Sequence, residues 1–326
     1  MLISKTPYRI SFFGGGSDYP TWYSKHGGAT LSTTIDKFCY ITARFLPPFF
    51  PNKTRIVWNR IEEVVHHVDI LHPAVRAVLK HLDIEDGVEI HTMGDLPSRS
   101  GIGSSSTFTV GLLNVLASLK GKSFNKAGLA LEAVRIERDM MQENVGIQDQ
   151  IAASYGGFNH TVIYPDGSFF IKPVVSDRLR ELQSHLMLFF TGVSRSASAI
   201  ASAQIKIHQT GEKDESLKTM QGMVGEAMNI LTSRGNLDAF GHLLHESWKL
   251  KRSLAQNISP PLVDDIYEEG RAAGALGGKL LGAGGGGHML FFAPPDRHDI
   301  IRDKLKSLLY VPLKFENEGS KIIYGL

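Results

Sequence analysis

The sequence is poor in cysteine and has no long apolar run. Cys39 is the single cysteine among 326 residues, so an intramolecular disulfide is excluded and a reducing, cytoplasmic compartment is favoured. No stretch of about 18 apolar residues occurs, which argues against a membrane-spanning helix. Lys5, Pro7 and Arg9 interrupt the apolar residues near the N-terminus, so we do not expect a secretory signal there.

An excess of charge of one sign is also absent. The chain has 35 Lys and Arg against 33 Asp and Glu, a formal net charge of +2, and it has no run of five or more basic residues. Nucleic acid is therefore not expected as a partner. A hydrophobic content of 42% with 21% charged residues is typical of a globular protein, and the length suits about two domains.

Hydrophobic periodicity predicts a mixed α and β chain. Strands are predicted over residues 1–13, 27–46, 54–59, 87–96, 185–195 and 314–326, with another after residue 287. Helices are predicted over residues 72–82, 104–119, 125–143, 146–157, 196–256, 260–276 (closed by Gly277 and Gly278) and 297–309. Strands and helices alternate again in the second half, which favours a boundary near residue 180 and domains 1–180 and 181–326.

Glycine is abundant, with 33 residues, and much of it lies in three clusters. The second cluster, LPSRSGIGSSS (residues 96–106), runs into a predicted helix. Backbone N–H groups at a helix N-terminus favour an anion, and the serine hydroxyls can hold phosphate oxygens or Mg²⁺. The alternative is that the serines only cap the helix. No Lys follows the last glycine, so this is not a Walker A loop.

The third cluster, KLLGAGGGGHMLFF (residues 279–292), contains a literal G-x-G-x-x-G. A dinucleotide site is excluded, because a strand rather than a helix follows and too little chain remains for a Rossmann sheet. A hairpin or bulge is one explanation. A backbone that must pass very close to another part of the molecule explains so many small residues better.

Together with PYRISFFGGGSDYP near the N-terminus (residues 7–20), these clusters resemble, in order and spacing, the three motifs of the GHMP small-molecule kinases. The resemblance covers nearly the whole chain. It implies an α+β fold of two domains: an N-terminal ribosomal-S5-like domain with a left-handed βαβ crossover, and a ferredoxin-like C-terminal domain. It also implies ATP and Mg²⁺. Within the family, the sequence is most similar to the heptose-phosphate kinases, which phosphorylate the anomeric hydroxyl of D-glycero-D-manno-heptose 7-phosphate.

The resemblance carries candidate residues for the chemistry. NVGIQDQIAA (residues 144–153) is similar to the galactokinase segment whose Asp contacts the reacting hydroxyl, which makes Asp149 the candidate base and Arg9 the cation beside it. Ser105 and Glu137 are the candidate metal ligands, by similarity to mevalonate kinase. Ser104 and Ser106 are close seconds to that serine, and Asp139 and Glu143 compete with Glu137.

Binding residues are predicted from the same resemblance and from the chemistry of the ligands. For ATP they are Gly101, Ile102, Gly103, Ser104, Ser105 and Ser106, with Trp58 and Asn59 for the adenine, although a core role for Trp58 is nearly as good an explanation. For a sugar they are Gly15, Gly16, Ser17, Asp18, Gly284 and Gly285. A substrate phosphate needs a further anion site, for which Arg99, Ser194 and Arg195 are the candidates.

Three alternatives stay open at this stage. The first is a kinase of the same family acting on a fucose- or galactose-like sugar, which would not need the arginine pair. The second is a related sensor that binds sugar and ATP without turnover, against which the Arg9 and Asp149 pair argues. The third is a nucleotide-dependent binding protein of another fold. The sequence leaves a homodimer open.

Overall fold

The computed structural model describes residues 1–193, 205, 210–255 and 258–325. Within these residues the chain forms two sheets. The first contains β1 (Leu2–Phe13), β2 (Gly28–Phe45), β3 (Thr54–Val57), β4 (Ile61–Val64), β5 (Val88–Gly94), β6 (Phe158–Ile163), β7 (Phe169–Pro173), β12 (Phe315–Glu316) and β13 (Lys321–Tyr324). The second contains β8 (Leu186–Phe190), β9 (Gly277–Leu280), β10 (His288–Phe292) and β11 (Leu309–Val311).

The helices surround these sheets. The described α-helices are Pro20–His26, Pro73–His81, Ser104–Leu119, Lys126–Arg135, Gln148–Tyr155, Arg178–Ser184, Asp214–Thr232, Asp238–Leu254, Pro261–Ala272 and His298–Lys304. Short 3₁₀ turns lie at His67–Asp69 and Pro295–Arg297, and a π-helical turn at Ile136–Met140. None of the described helices combines the length and hydropathy needed to cross a membrane.

The long strand β2 organises the first sheet. Its 18 residues pair with β1 along most of their length, with β6 near the beginning and with β5 near the end. Parallel strands β3 and β5 are joined across the helix Pro73–His81, which gives the βαβ unit that the family resemblance implies. The left-handed crossover stays a prediction.

The second sheet has the ferredoxin-like arrangement that the resemblance implies. Its order is β11-β8-β10-β9, and all its pairs are antiparallel. In chain order this is 4-1-3-2, with helices between the first and second strands and between the third and fourth. The predicted α+β fold is therefore confirmed.

The helix Ser104–Leu119 positions the second glycine cluster. Its apolar face, including Val110, Leu113 and Leu116, is fully buried and packs against β1 and β2. The helix therefore cannot shift along the sheet without losing core contacts, and its N-terminus is held at the end of β1 that carries Arg9.

Several element bounds differ from the predictions. The helix predicted over 125–143 becomes π-helical at Ile136, and the described part of 196–256 contains two helices separated near Gly235. The helix predicted to close at Gly277 ends at Ala272 instead, and Gly277 begins β9. A Cβ on Gly277 would lie 1.9 Å from the Gly241 carbonyl oxygen, so this glycine serves a close approach between a strand and a helix.

The predicted last strand is divided into β12 and β13, and both belong to the first sheet. β13 pairs with β1 and β12 with β2. A division of the chain at residue 180 places these residues with the second half, although their hydrogen bonds are with the first. Strands β4, β6, β7, β9 and β11 and the helices Pro20–His26 and Arg178–Ser184 were not predicted.

Candidate active site

Arg9 and Asp149 form a two-pronged ion pair at the centre of the site. Arg9 on β1 donates from Nε to Oδ1 and from Nη2 to Oδ2 of Asp149, both at 2.8 Å. Asp149 lies in the first turn of the helix Gln148–Tyr155. The Arg9 side chain is 5% exposed, and that of Asp149 is 27% exposed. The pairing fixes the carboxylate while leaving it accessible to a small molecule.

The second glycine cluster lies against this pair. Arg9 donates from Nη1 to the Gly101 carbonyl at 2.6 Å and from its backbone N–H to the Ile102 carbonyl at 3.2 Å. Gly103 has a left-handed φ of 74°, and a Cβ there would lie 3.3 Å from Asp149 Oδ2. The helix Ser104–Leu119 follows directly, and the N–H groups of its first turn have no intrahelical acceptors. The arrangement can hold an anion within reach of Asp149.

The third glycine cluster packs backbone to backbone on the second. A Cβ on Gly101 would lie 2.3 Å from the Leu281 carbonyl oxygen, and one on Gly282 would lie 2.5 Å from the Gly101 Cα. A Cβ on Gly287 would lie 2.3 Å from the Ser100 carbonyl oxygen. The close backbone approach predicted for this cluster is therefore present, and it occurs against the other glycine cluster.

Glu137 lies behind the loop, in the π-helical turn. It is 1% exposed and accepts hydrogen bonds from Ser106 Oγ at 2.9 Å, from Thr109 Oγ1 at 2.8 Å and from Gln150 Nε2. Burial, with a smaller contribution from the Asp149 charge, raises the pKa of Glu137 to about 7, although the three donors act in the opposite direction. The serine in contact with Glu137 is thus Ser106; Ser105, which we predicted as its partner, is exposed.

Asp18 is buried beside the ion pair. Its carboxylate accepts from the backbone N–H groups of Gly16 at 3.1 Å and Gln148 at 3.3 Å. Burial, and then the Asp149 charge, raise the pKa of Asp18. A Cβ on Gly146 would lie 1.7 Å from Asp18 Oδ2, which explains the glycine of the GIQDQ segment. The first glycine cluster and this segment therefore meet.

Two buried lysines from the second half reach the site, and neither was predicted. Lys251, on the helix Asp238–Leu254, donates to the Gly282 carbonyl, and burial lowers its pKa to about 8, with a further decrease from Arg9 and an increase from Asp18. Lys279 donates to the Phe12 carbonyl at 2.7 Å. Burial, and then Lys251, lower the pKa of Lys279 well below its usual value. The position of Lys279 in the third cluster was a usable signal; Lys251 had none.

An aromatic group lies beside the glycine loop. Trp58 contacts His72 edge to face with ring centres 4.6 Å apart, and His72 stacks on Phe108 at 4.6 Å. Trp58 Nε1 donates to Glu62 at 2.8 Å. Trp58 is half-buried and Asn59 is exposed. Since Phe108 belongs to the helix that begins at the glycine loop, this aromatic group lies about one helical turn from the loop.

The remaining predicted residues are placed as follows. Arg99 has a left-handed φ of 58°, is exposed and donates its backbone N–H to Ser104 Oγ at 3.0 Å. Ser17 Oγ donates to the Gly14 carbonyl at 2.8 Å. The Gly285 N–H donates to the Ile258 carbonyl at 2.9 Å, and a Cβ on Gly284 would lie 2.8 Å from the same oxygen. Ser194 and Arg195 lie outside the described residues.

This fold and this glycine-lined site define a small-molecule kinase. The family model for the GHMP kinases N terminal domain matches residues 69–157, and the GHMP kinases C terminal model matches residues 228–311. The chain belongs to the GHMP kinase family and is a kinase, a phosphotransferase.

Similar proteins extend over almost the whole chain. The D-glycero-alpha-D-manno-heptose 7-phosphate kinase of Campylobacter jejuni is 28% identical over 340 residues, covering 98% of each protein. A mevalonate kinase of Pyrococcus abyssi is 26% identical, covering 92% of this chain and 91% of that protein. The crystal structure of a D-glycero-D-manno-heptose 1-phosphate kinase from Bacteriodes thetaiotaomicron superposes with a TM-score of 0.81 at 23% identity, with all of both chains covered.

Proposed function

We propose that the protein is an ATP-dependent sugar kinase that phosphorylates the anomeric hydroxyl of D-glycero-D-manno-heptose 7-phosphate. The observation that carries this proposal is the end-to-end similarity to the Campylobacter jejuni heptose 7-phosphate kinase. The paired Arg9 and Asp149 side chains beside an anion-binding loop support turnover rather than binding alone. The product would be the 1,7-bisphosphate.

Asp149 is the proposed base of the reaction. The anomeric oxygen attacks the γ-phosphorus of ATP, the bond from that phosphorus to the β,γ-bridging oxygen breaks, and ADP leaves. The hydroxyl proton passes to the Asp149 carboxylate, which Arg9 holds in one orientation through both oxygens. Positioning and charge stabilisation supply most of the acceleration in phosphoryl transfer, so the rigid pairing matters as much as the basicity.

The second glycine cluster is the proposed phosphate site, with Mg²⁺ beside it. Among the described residues no group of three or more His, Cys, Asp or Glu side chains is placed to hold a metal. A Mg²⁺ ion at this site would therefore take some of its ligands from the phosphate oxygens of ATP. Ser106 Oγ and the Glu137 carboxylate are oxygen ligands of the kind that Mg²⁺ prefers. Gln150 Oε1, buried next to them, has no hydrogen-bond partner among the described residues. When bound, the ion neutralises developing phosphate charge.

The acceptor is proposed to bind at the first glycine cluster. Asp18 and the backbone of Gly15 and Gly16 would hold sugar hydroxyls next to Asp149. The phosphate at the far end of the sugar would be held by Arg99 and Arg195. Binding energy gained there would position the reacting end, so it should appear in kcat/KM.

ADP release measured over a panel of acceptors tests the proposal. The panel is D-glycero-D-manno-heptose 7-phosphate, the free heptose, D-galactose, L-fucose and mevalonate. A charge-assisted contact is worth roughly 1.5–3 kcal/mol, so the phosphorylated heptose should exceed the free sugar by about tenfold or more in kcat/KM. Arg99→Ala and Arg195→Ala should each reduce this preference without changing the KM for ATP. Arg180→Ala, which alters an exposed arginine, is the control and should leave the preference unchanged.

Other results assign other functions. Equal rates on phosphorylated and free heptose would overturn the heptose-phosphate assignment and leave a kinase for another sugar. Rapid turnover of galactose or fucose alone would identify that sugar. ATP binding without ADP release on any acceptor would indicate the sensor.

A further inference from the structure

Lys251 joins the second half of the chain to the catalytic site. Its residue is 8% exposed, and its Nζ donates to the Gly282 carbonyl. Gly282 packs on Gly101, where a Cβ would lie 2.5 Å from the Gly101 Cα. The Gly101 carbonyl in turn accepts from Arg9 Nη1 at 2.6 Å. The Lys251 ammonium therefore lies where the two glycine clusters meet, and the backbone of Gly282 and Gly101 connects it to the Arg9 and Asp149 ion pair.

The buried cations described at the site contact different groups. Arg9 uses Nε and Nη2 on Asp149 and Nη1 on the Gly101 carbonyl. Lys279 donates to the Phe12 carbonyl at 2.7 Å. An ammonium group has three donors, and among the described residues Lys251 uses one of them, on Gly282. Lys279 and Arg9 also keep two donors each, but of the two lysines Lys251 is the one whose acceptor, Gly282, packs on the second glycine cluster.

A buried ammonium with spare donors is costly for stability. Removing a lysine charge from water costs several kcal/mol unless an opposite charge and further hydrogen bonds compensate. Arg9 neutralises Asp149, and the Asp18 carboxylate already accepts two backbone N–H groups. A dianionic phosphoryl group bound at the second glycine cluster would supply further acceptors and additional negative charge.

We propose that Lys251 is a phosphate-binding residue that contacts the phosphoryl group as it moves from ATP to the acceptor. The inference rests on the proposed kinase reaction but not on the identity of the sugar. No bond to Lys251 forms or breaks; the ammonium donates hydrogen bonds and offsets negative charge that develops on the transferred group.

The first test uses nucleotides alone, so it does not depend on the acceptor. Calorimetric titration with AMP-PNP and with ADP, both with Mg²⁺, compares ligands that differ by the terminal phosphoryl group. Lys251→Met should reduce the AMP-PNP to ADP affinity ratio by about tenfold or more, the size of one charge-assisted contact. Lys251→Arg should keep most of the ratio. Lys249→Met, an exposed lysine on the same helix, should keep all of it.

Thermal unfolding accompanies each titration. Lys251→Met should melt at the wild-type temperature or above, because an apolar side chain replaces a buried charge. If Lys251→Met does not fold, Lys251→Gln replaces it in the titrations. An unchanged nucleotide ratio in a folded variant would overturn the proposal, as would a loss confined to the KM of the sugar.

A pH profile gives an independent readout. Among the described residues, Arg9 on β1, Asp18 after β1 and Lys279 on β9 are the charged groups that face Lys251, and the pKa of Lys251 is lowered to about 8. The charged form is the one that binds phosphate, so kcat/KM for ATP should fall as the pH rises through about 8. Lys251→Arg should remove that decline, since a guanidinium stays protonated there. A decline that persists in Lys251→Arg would contradict the proposal.

Discussion

Asp149 is a carboxylate with both oxygens held and one face open to a small molecule. Asp149→Asn keeps the side-chain shape but loses the charge and the proton acceptor. We expect kcat to fall by about 10²–10⁴-fold, the usual contribution of a positioned base, with the dissociation constant for AMP-PNP nearly unchanged. Steady-state kinetics and titration would measure both.

The control for that variant is Asp303→Asn, which alters an exposed carboxylate and should leave kcat as it is. A wild-type kcat in Asp149→Asn would remove Asp149 from the proposed chemistry. A folded variant that no longer binds nucleotide would show that the pair with Arg9 mainly holds the loop.

Glu137 should make stability depend on pH in the absence of nucleotide and metal. Its pKa is raised from 4.5 to about 7, so its contribution is fully present below pH 4.5 and is lost as the pH rises through 7. At about 1.4 kcal/mol per pH unit, the loss is up to about 3 kcal/mol. Urea unfolding should therefore show Glu137→Gln gaining on the wild type between pH 5 and pH 8.

Exposed Glu226→Gln provides the comparison for Glu137 and should follow the wild type at both pH values. If the difference between Glu137→Gln and the wild type stayed constant from pH 5 to pH 8, Glu137 would have an ordinary carboxyl pKa. The raised pKa of Glu137 would then no longer support its proposed role as a buried Mg²⁺ ligand.

At the level of single residues, sequence reasoning found the groups that belong to motifs. Arg9 was predicted beside Asp149 and Asp18 was predicted as a sugar-binding residue, and the structure places all three close together. Ser106, one of the two alternatives to Ser105, is the serine that contacts Glu137, because helical geometry turns successive residues by about 100° and only one of three adjacent serines can face the interior. Lys251 could not be found, because Lys249 and Arg252 beside it look the same in sequence.

Among the elements, the contact between the second and third glycine clusters tolerates side chains least. Gly101 has φ 83°, and a Cβ there would lie 2.3 Å from a carbonyl oxygen. Gly101→Ala should cost about 1–2 kcal/mol for the left-handed backbone and a further 1–3 kcal/mol for the overlap. Urea unfolding would measure the cost, and the KM for ATP should rise with it.

Gly121 separates the two costs. It has φ 69° but nothing within 4 Å of a Cβ, so Gly121→Ala should show the backbone cost alone. Equal destabilisation by the two substitutions would mean that the glycine clusters can move apart to admit a methyl group.

Periodicity predicted most of the helices and strands but few of their ends. Helix ends depended on packing between segments distant in sequence, as at Gly277, which approaches the helix backbone at Gly241. Short strands such as β4 and β7 have few residues, so alternation within them is a weak signal. A close backbone approach was predicted for the third glycine cluster, but the second cluster was not predicted as its partner. A run of small residues does not specify what it contacts.

For the whole molecule, the last strands close the first sheet. Ser320 Oγ hydrogen-bonds Thr6 Oγ1 at 2.8 Å and Asn114 Nδ2 at 3.0 Å, and β13 covers the edge of β1. Deleting residues 315–326 leaves those polar groups without partners, at roughly 1–3 kcal/mol each. We expect the melting temperature to fall by at least about 5 °C.

A chain ending at Tyr324 is the matched control for the deletion, because it retains the pairs of β12 and β13. Its melting temperature should equal that of the full-length protein. Equal melting of the longer deletion would mean that β1 is stable with one neighbour, and that the tail is not needed to hold Arg9.

The return of the tail to β1 also affects how the protein is made. Strand β1 is synthesised before β2 to β12, and its partner β13 is synthesised after them. The first sheet therefore cannot be completed until β13 has been made, and until then β1 has one edge uncovered. Contacts between such distant parts of a chain form slowly, and an uncovered edge strand invites pairing with other chains. The nascent enzyme is thus exposed to aggregation along β1 until β13 has been synthesised and has paired with it.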